Sequence, residues 1–232
     1  QLPAKAFAIT FDDGFLNNKI VAAEILVDLK IPATFYVTTS FIENNDMSWI
    51  DRIEFAVETT QKLEIDVNPL GNFKLITAEN KVEFLEFIRH EVKKRADINP
   101  NQLADEIQNF LLGSSQFGSE EELYKKMNWN DLRNLNANEF FSVGGHTHTH
   151  PILTHIDGNS LDFEIGHCLD LLAKMSDLDT HHFSYPEGQQ NCFNKTVSSR
   201  LKDFGVKICP SAMHGVNFQQ SDLFSLKRVN VT

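Results

Sequence analysis

Ala6-Phe7-Ala8-Ile9-Thr10-Phe11-Asp12-Asp13-Gly14, near the start of the 232-residue chain, is the stretch from which the fold is read. Its apolar half, Ala6 to Phe11, has the character of a buried strand, and Asp12-Asp13-Gly14 ends it in a turn. Asn18 to Lys30 then carries Ile20, Val21, Ile25, Leu26 and Leu29 at helical spacing. Pro32 closes that helix, and Ala33-Thr34-Phe35-Tyr36-Val37 reads as the next strand. Strand, helix, strand predicts a parallel sheet with crossover helices.

The pattern resumes late in the chain. Trp129 to Leu135 reads as a short helix with Asn128 as its cap, and Phe140 to Val143 as a strand. Three further strands are expected at His181–Tyr185, Val206–Cys209 and Phe224–Val229, with helices at Ser160–Met175 and Asn194–Asp203 between them. Between about residues 44 and 127 the character changes. Charged, helix-forming stretches at Ile50–Lys62, Asn80–Arg95 and Gln102–Leu112 are broken by Pro69-Leu70-Gly71 and Gly113-Ser114-Ser115. This reads as a helical insertion in a single domain of residues 1–232, because strands of the same style follow it. Alternating strands and helices predict an α/β fold, either a (β/α) barrel or a doubly wound sheet, with reactive groups at the strands' C-terminal edge.

Hydrophobic content of 41% is enough for a sizeable core at this length. The net charge of −11 argues against nucleic acid as a partner, since phosphate binding needs clustered Lys and Arg. Lys93-Lys94-Arg95 and Lys125-Lys126 are short runs suited to solvated helix faces. No apolar run approaches ~20 residues, so no membrane span is expected. Three cysteines without a CxxC pair, and a start (Gln1 to Lys5) lacking signal-peptide architecture, favour a reducing, cytoplasmic location.

Chemistry concentrates in two segments. His146-Thr147-His148-Thr149-His150 lies between Gly144-Gly145 and Pro151, and two imidazoles spaced by four can converge on one ion. The adjacent Asp12 and Asp13 supply what two histidines lack: one carboxylate to complete a His₂-Asp site and another to act as a base. Asp-Asp-Gly is also an ordinary turn in which Asp12 caps the following helix. His148 falls between the two ligand positions and is expected to support the loop or lie exposed. Thr147 is expected to orient a ligand or the loop by a hydrogen bond, and His155, His167, His181 and His182 to be structural, with a place at the strand's exit the alternative for His181 or His182.

Thr10-Phe11-Asp12-Asp13-Gly14 and His146-Thr147 followed by His150-Pro151 resemble the first two motifs of the polysaccharide deacetylase family, the NodB-homology carbohydrate esterases. The resemblance runs from about Ala6 to Val231. Phe183-Ser184-Tyr185-Pro186-Glu187-Gly188 stands at the third motif, and Trp49-Ile50-Asp51-Arg52 and Trp129-Asn130-Asp131-Leu132 resemble segments of many members. It implies an irregular (β/α) barrel of the NodB type with a helical insertion. It also implies a metal-dependent hydrolase that removes an N-acyl group, by default acetyl, from an N-acetylated sugar or polysaccharide. Asp13, His146 and His150 would be metal ligands, with zinc the first choice and iron, cobalt or nickel also tolerated. Asp12 would be the general base, and the backbone N–H of Glu187 the oxyanion donor.

The departures are specific. Many members carry an Arg where Ser184 stands, which orients the catalytic Asp, and a Tyr where Glu187 stands. The family's closing Leu-x-His, whose His protonates the leaving amine, corresponds here to Leu226-Lys227-Arg228. An arginine, with a pKa above ~12, cannot fill that office. His214, in the loop expected after the Val206–Cys209 strand, is the replacement the sequence offers. Two alternatives stand beside the deacetylase reading: hydrolysis of another C–N bond, a formamide or cyclic amide, and a non-catalytic carbohydrate-binding relative.

Overall fold

The computed structural model describes residues 6–113, 121–174, 178 and 181–231. The opening Gln1 to Lys5, the break at Ser114-Ser115 and the Met175 end of a helix lie outside them. In chain order the elements are β1 (Ile9–Phe11), a π-helical turn (Asn18–Ala23) running into α1 (Glu24–Asp28), β2 (Ala33–Val37), α2 (Thr39–Asn44), α3 (Trp49–Thr59), β3 (Glu64–Val67), β4 (Gly71–Lys74), α4 (Ala78–Lys94), α5 (Pro100–Leu112), α6 (Trp129–Asn136), β5 (Phe141–Gly145), α7 (Gly158–Lys174), α8 (Lys195–Asp203), β6 (Pro210–His214) and β7 (Leu226–Arg228). Residues 1–46 with 125–232 form one compact unit, and residues 47–124 another.

The first unit is built on the βαβ opening. β1, β2 and β5 pair in that order, all parallel, with Ile9 opposite Ala33 and Ala33 opposite Phe141. Aromatic rings lock the ladder: Phe11 stacks on Phe35 at 5.0 Å, and Phe35 meets Phe141 edge-on at 5.4 Å. α7 buries Leu161, Ile165, Cys168, Leu169 and Leu172, a stripe at helical spacing, in the cluster that holds Val37, Val143 and Phe183. α6 begins where Asn128 predicted, in a capping box closed by Asp131.

Beyond β5 the expected strands are shorter than their apolar runs. His181–Tyr185 is reduced to single parallel bridges, Gly145 with Phe183 and His182 with Ile208. The segment is still bonded on both sides: Gly145 N–H donates to His182 O at 3.0 Å and Phe183 N–H to Ile208 O at 3.0 Å. Pro186, with no N–H to give, ends it. The Val206–Cys209 strand is displaced forward into β6, which pairs in parallel with β7. His214, expected in a loop, is therefore the last residue of a strand. The α/β class is established, but among the described residues the ladders do not close into a barrel. β1 and β7 share no backbone pairing; side chains alone span that gap.

The second unit has its own core, with Ile53, Val57, Ile88 and Ile107 at its centre. Its helices α3, α4 and α5 lie close to the three expected stretches, with caps at Ser48, Thr77 and Asn99. The helical insertion expected here also holds an antiparallel hairpin, β3–β4, turning through Asn68-Pro69-Leu70. Ile65 and Val67 point into the core and alternate with exposed Glu64 and Asp66. No helix among the described residues is long and apolar enough to cross a membrane.

Candidate functional site

Both chemistry-bearing segments leave the C-terminal ends of parallel strands, β1 and β5, which flank β2. After β1 the chain turns through Asp13 at φ 71° and Gly14 at φ 80°. A side chain at Gly14 would meet Ile42 Cδ1 at 2.8 Å, so the turn needs glycine for space as well as for conformation. The segment Lys125–Met127 braces it: Met127 N–H donates to Gly14 O at 2.9 Å, and Leu16 N–H to Lys125 O at 2.8 Å.

After β5 the chain enters a loop with Thr147 at φ 68° and His150 at φ 63°. Thr147 Oγ1 donates to His146 O at 2.5 Å and accepts from His150 N–H at 2.9 Å. Thr147 thus orders the loop, as the sequence predicted. The first amides of α2 close it from the other side, Thr39 N–H on Thr147 O and Ser40 N–H on His148 O. From α7, the buried carboxylate of Glu164 accepts His148 N–H at 2.9 Å, Thr149 N–H at 2.8 Å and Thr149 Oγ1–H at 2.6 Å. No sequence signal marked Glu164; its role depends on where α7 lies.

Asp13, His146 and His150 converge, with one potential ligand atom from each lying within 4.8 Å of the others. His146 Nε2 is 3.4 Å and His150 Nε2 3.2 Å from Asp13 Oδ1, and the two rings are 4.9 Å apart. The donor set fits a divalent cation. His146 Nδ1 lies 2.8 Å from Ser184 O, a contact that requires Nδ1–H and leaves the Nε2 lone pair of a neutral ring facing Asp13. Asp13 Oδ1 is buried and receives no hydrogen bond of good geometry. Electron pairs facing one another in this way repel unless positive charge lies between them. Without an ion, desolvation works against ionisation of Asp13, but His150 and His146 outweigh it and hold the carboxyl well below the usual carboxylate range. Burial likewise disfavours the His150 cation, and Asp13 more than compensates, raising its pKa.

Asp12 stands beside this group and is held differently. Arg228, from β7, donates from Nη1 to Asp12 Oδ1 at 2.9 Å and from Nη2 to Asp12 Oδ2 at 2.7 Å. Asp12 therefore does not cap the following helix, whose preceding residue is Asn17. The partner of Asp12 left unassigned by sequence is Arg228. The position that lacked a proton donor supplies a fixed cation 216 residues away along the chain.

The remaining candidates are placed as follows. Glu187 sits in the turn after Pro186 at φ 60°, with its carboxylate close enough to raise the His150 pKa. His214 is exposed at the end of β6, in register with Arg228, and among the described residues its side chain makes no hydrogen bond or ion pair. His148 lies outside the converging group: Nδ1 is 2.9 Å from Thr39 Oγ1, and its ring meets His167 edge-on at 4.5 Å. Cys168, Cys192 and Cys209 are buried and form no disulfide; burial pushes the Cys168 thiol up to about 12.

Comparisons with known proteins agree on one family. The sequence matches the polysaccharide deacetylase family over residues 1–72 and 76–209. No curated protein matches it significantly. Among solved structures, Streptococcus pyogenes deacetylase PplD in complex with acetate is 18% identical with a TM-score of 0.54, covering 100% of this chain and 67% of that one. IcaB from Ammonifex degensii is 18% identical, TM-score 0.56, covering 100% of this chain and 70% of that one. The BpsB deacetylase domain from Bordetella bronchiseptica is 14% identical, TM-score 0.56, with coverages of 98% and 71%. At such identities the structural likeness concerns the fold, and the family match carries the assignment. On that match, spanning both segments that bring Asp13, His146 and His150 together, the chain belongs to the polysaccharide deacetylase family of hydrolases.

Proposed function

We propose that the chain is a metal-dependent N-deacetylase acting on an N-acetylated sugar or polysaccharide, working as one catalytic domain on an irregular (β/α) barrel. The observation that carries the reading is the convergence of Asp13, His146 and His150 beside an Asp12 that is held out of the group by Arg228. A pair of neighbouring carboxylates with separate partners is suited to two separate tasks.

Asp13, His146 and His150 would hold the ion, zinc by preference, since two imidazoles and one carboxylate suit it. When bound, a divalent ion supplies Lewis acidity to the amide carbonyl and to the attacking water. Asp12 accepts the proton of that water; a carboxylate paired with Arg228 keeps lone pairs for this. The Glu187 backbone N–H faces the developing oxyanion, a role that survives replacement of the side chain. The turn is set by Gly188 N–H on Pro186 O at 2.7 Å and Ala212 N–H on Gly188 O at 2.9 Å. His214, on the same strand-end edge, returns a proton to the leaving amine.

The test is acetate release from short N-acetylglucosamine oligomers by protein stripped of metal and reloaded with zinc or cobalt. Metal-dependent acetate supports the reading, and Asp12→Asn then abolishes turnover while the ion stays bound. A stoichiometric ion with no acetate released overturns the deacetylase assignment.

A further inference from the structure

Arg228 is anchored before it reaches Asp12. Its Nε donates to Ser211 O at 2.7 Å, and its Nη1 also contacts Thr10 Oγ1 at 3.2 Å. Nη2 lies 3.3 Å from Ser184 Oγ, and Ser184 Oγ is 3.5 Å from Asp12 Oδ2. The guanidinium is thus fixed by strand β6, by β1 and by the Phe183–Gly188 segment, with its two forked ends left for both oxygens of one carboxylate. Two parallel charge-assisted bonds set the plane of the Asp12 carboxylate, which a single contact leaves free to rotate. The pair is mostly sheltered, with side-chain exposures of 15% for Arg228 and 26% for Asp12.

Ser184 makes this possible. It is fully buried between Asp12 and Arg228, and its small side chain leaves the space that the guanidinium occupies. A long cation rooted at position 184 and one rooted at position 228 would compete for the same carboxylate. The chain has one of them.

We propose that Arg228 is the positioning residue for Asp12. It holds the carboxylate in one plane for proton transfer and keeps it from turning towards the ion held by its neighbour Asp13. In this chain the office is rooted on β7, and Ser184 is its complement. β7 therefore contributes a fixed cation to the reaction and no transferable proton. This rests on the deacetylase reading given above for its catalytic consequence, but not for the contact itself.

Two experiments on the full chain decide it. In the first, Arg228→Lys and Arg228→Met are assayed with zinc-loaded protein. Both are expected to lower kcat by about 100-fold with KM changed little, because misplacement of a base acts on the chemical step. Ser184→Arg introduced into Arg228→Met is expected to recover at least about tenfold, since the new guanidinium reaches the same carboxylate from the other side. Wild-type kcat in Arg228→Met overturns the proposal. If the double variant does not fold, Arg228→Lys decides alone, because it keeps the charge and loses only the fork.

In the second, thermal unfolding of metal-free protein is followed for Arg228→Met, Asp12→Ala and the double variant. Coupling through the fork predicts that Arg228→Met lowers Tm in the wild type and lowers it clearly less once Asp12 is alanine, where only the contacts to Ser211, Thr10 and Ser184 are left to lose. An equal loss in both backgrounds means that Arg228 serves Ser211 and Thr10 only, and overturns the proposal. If the wild type releases no acetate, the deacetylase reading falls, while this cycle still decides whether Arg228 holds Asp12.

Discussion

Glu164→Ala would release the loop that carries both histidines. The carboxylate is buried on α7 and accepts three hydrogen bonds, from His148 N–H, Thr149 N–H and Thr149 Oγ1–H. Hydrogen bonds to a charged group contribute ~1.5–3 kcal/mol each. Thr149 is exposed, so water can replace its two contacts in part, which discounts them. The expected loss of stability is about 2–4 kcal/mol. A second effect falls on the ion. Thr147 and His150 hold left-handed backbone conformations that cost ~1–3 kcal/mol each and persist only where surrounding contacts enforce them. With Glu164 gone the loop can relax, and zinc affinity should fall about 10–100-fold. Glu164→Gln is the control. Its carbonyl still accepts two amides and its NH₂ can donate to Thr149 Oγ1, so only charge assistance is lost, about 1 kcal/mol. Urea unfolding and zinc titration against a competing chelator measure both quantities. If Glu164→Ala unfolds and binds zinc as the wild type does, Glu164 does not anchor the loop.

Two further expectations follow from the site's surroundings. Gly145→Ala would place a methyl 2.8 Å from the Phe183 ring and 3.2 Å from Cys168 Sγ; overpacking of about 1–3 kcal/mol is expected, read as a lower urea midpoint. Chelation should lower Tm, since an ion present at about 100 times its Kd stabilises by about 2.7 kcal/mol. His150→Ala should lose that response. A Tm indifferent to chelator in the wild type would count against a bound ion.

Much of the fold was legible because it is written locally. The apolar run before Asp12, the helical spacing to Leu29 and the Asn128 cap each depend on neighbours within a few residues. The hairpin β3–β4 was legible in principle from the alternation Glu64-Ile65-Asp66-Val67, but the charged helices on either side obscured it. The end of the His181–Tyr185 segment has a local cause in Pro186, whereas the shift of the next strand to Pro210–His214 does not. Proline usually marks a strand's limit, and only pairing with β7 makes Pro210 its start. At the site, Asp13, His146 and His150 were named by type and spacing. Arg228 was not, because a pattern search at that position asks for a proton donor. The arginine has meaning only once the fold brings Arg228 within reach of Asp12.

Six non-glycine residues among those described have positive φ, and they divide by cause. Lys30 and Asn45 follow helices, where such a turn is routine. Asp13, Thr147, His150 and Glu187 all belong to the proposed site. Thr147 is the costliest, since its branched side chain crowds the backbone in that region. Strain of this kind relaxes unless something opposes it. Here the opposition is visible in Thr147 bonded to both histidine residues, Met127 on Gly14, Glu164 under Thr149, and Ala212 on Gly188. None of these contacts involves an ion. The convergence of the ligand atoms is therefore supported by the protein's own contacts. It follows that loosening these supports should cost metal affinity and stability together, because Val37 and Ile42 of the core lie directly beside the turn at Gly14.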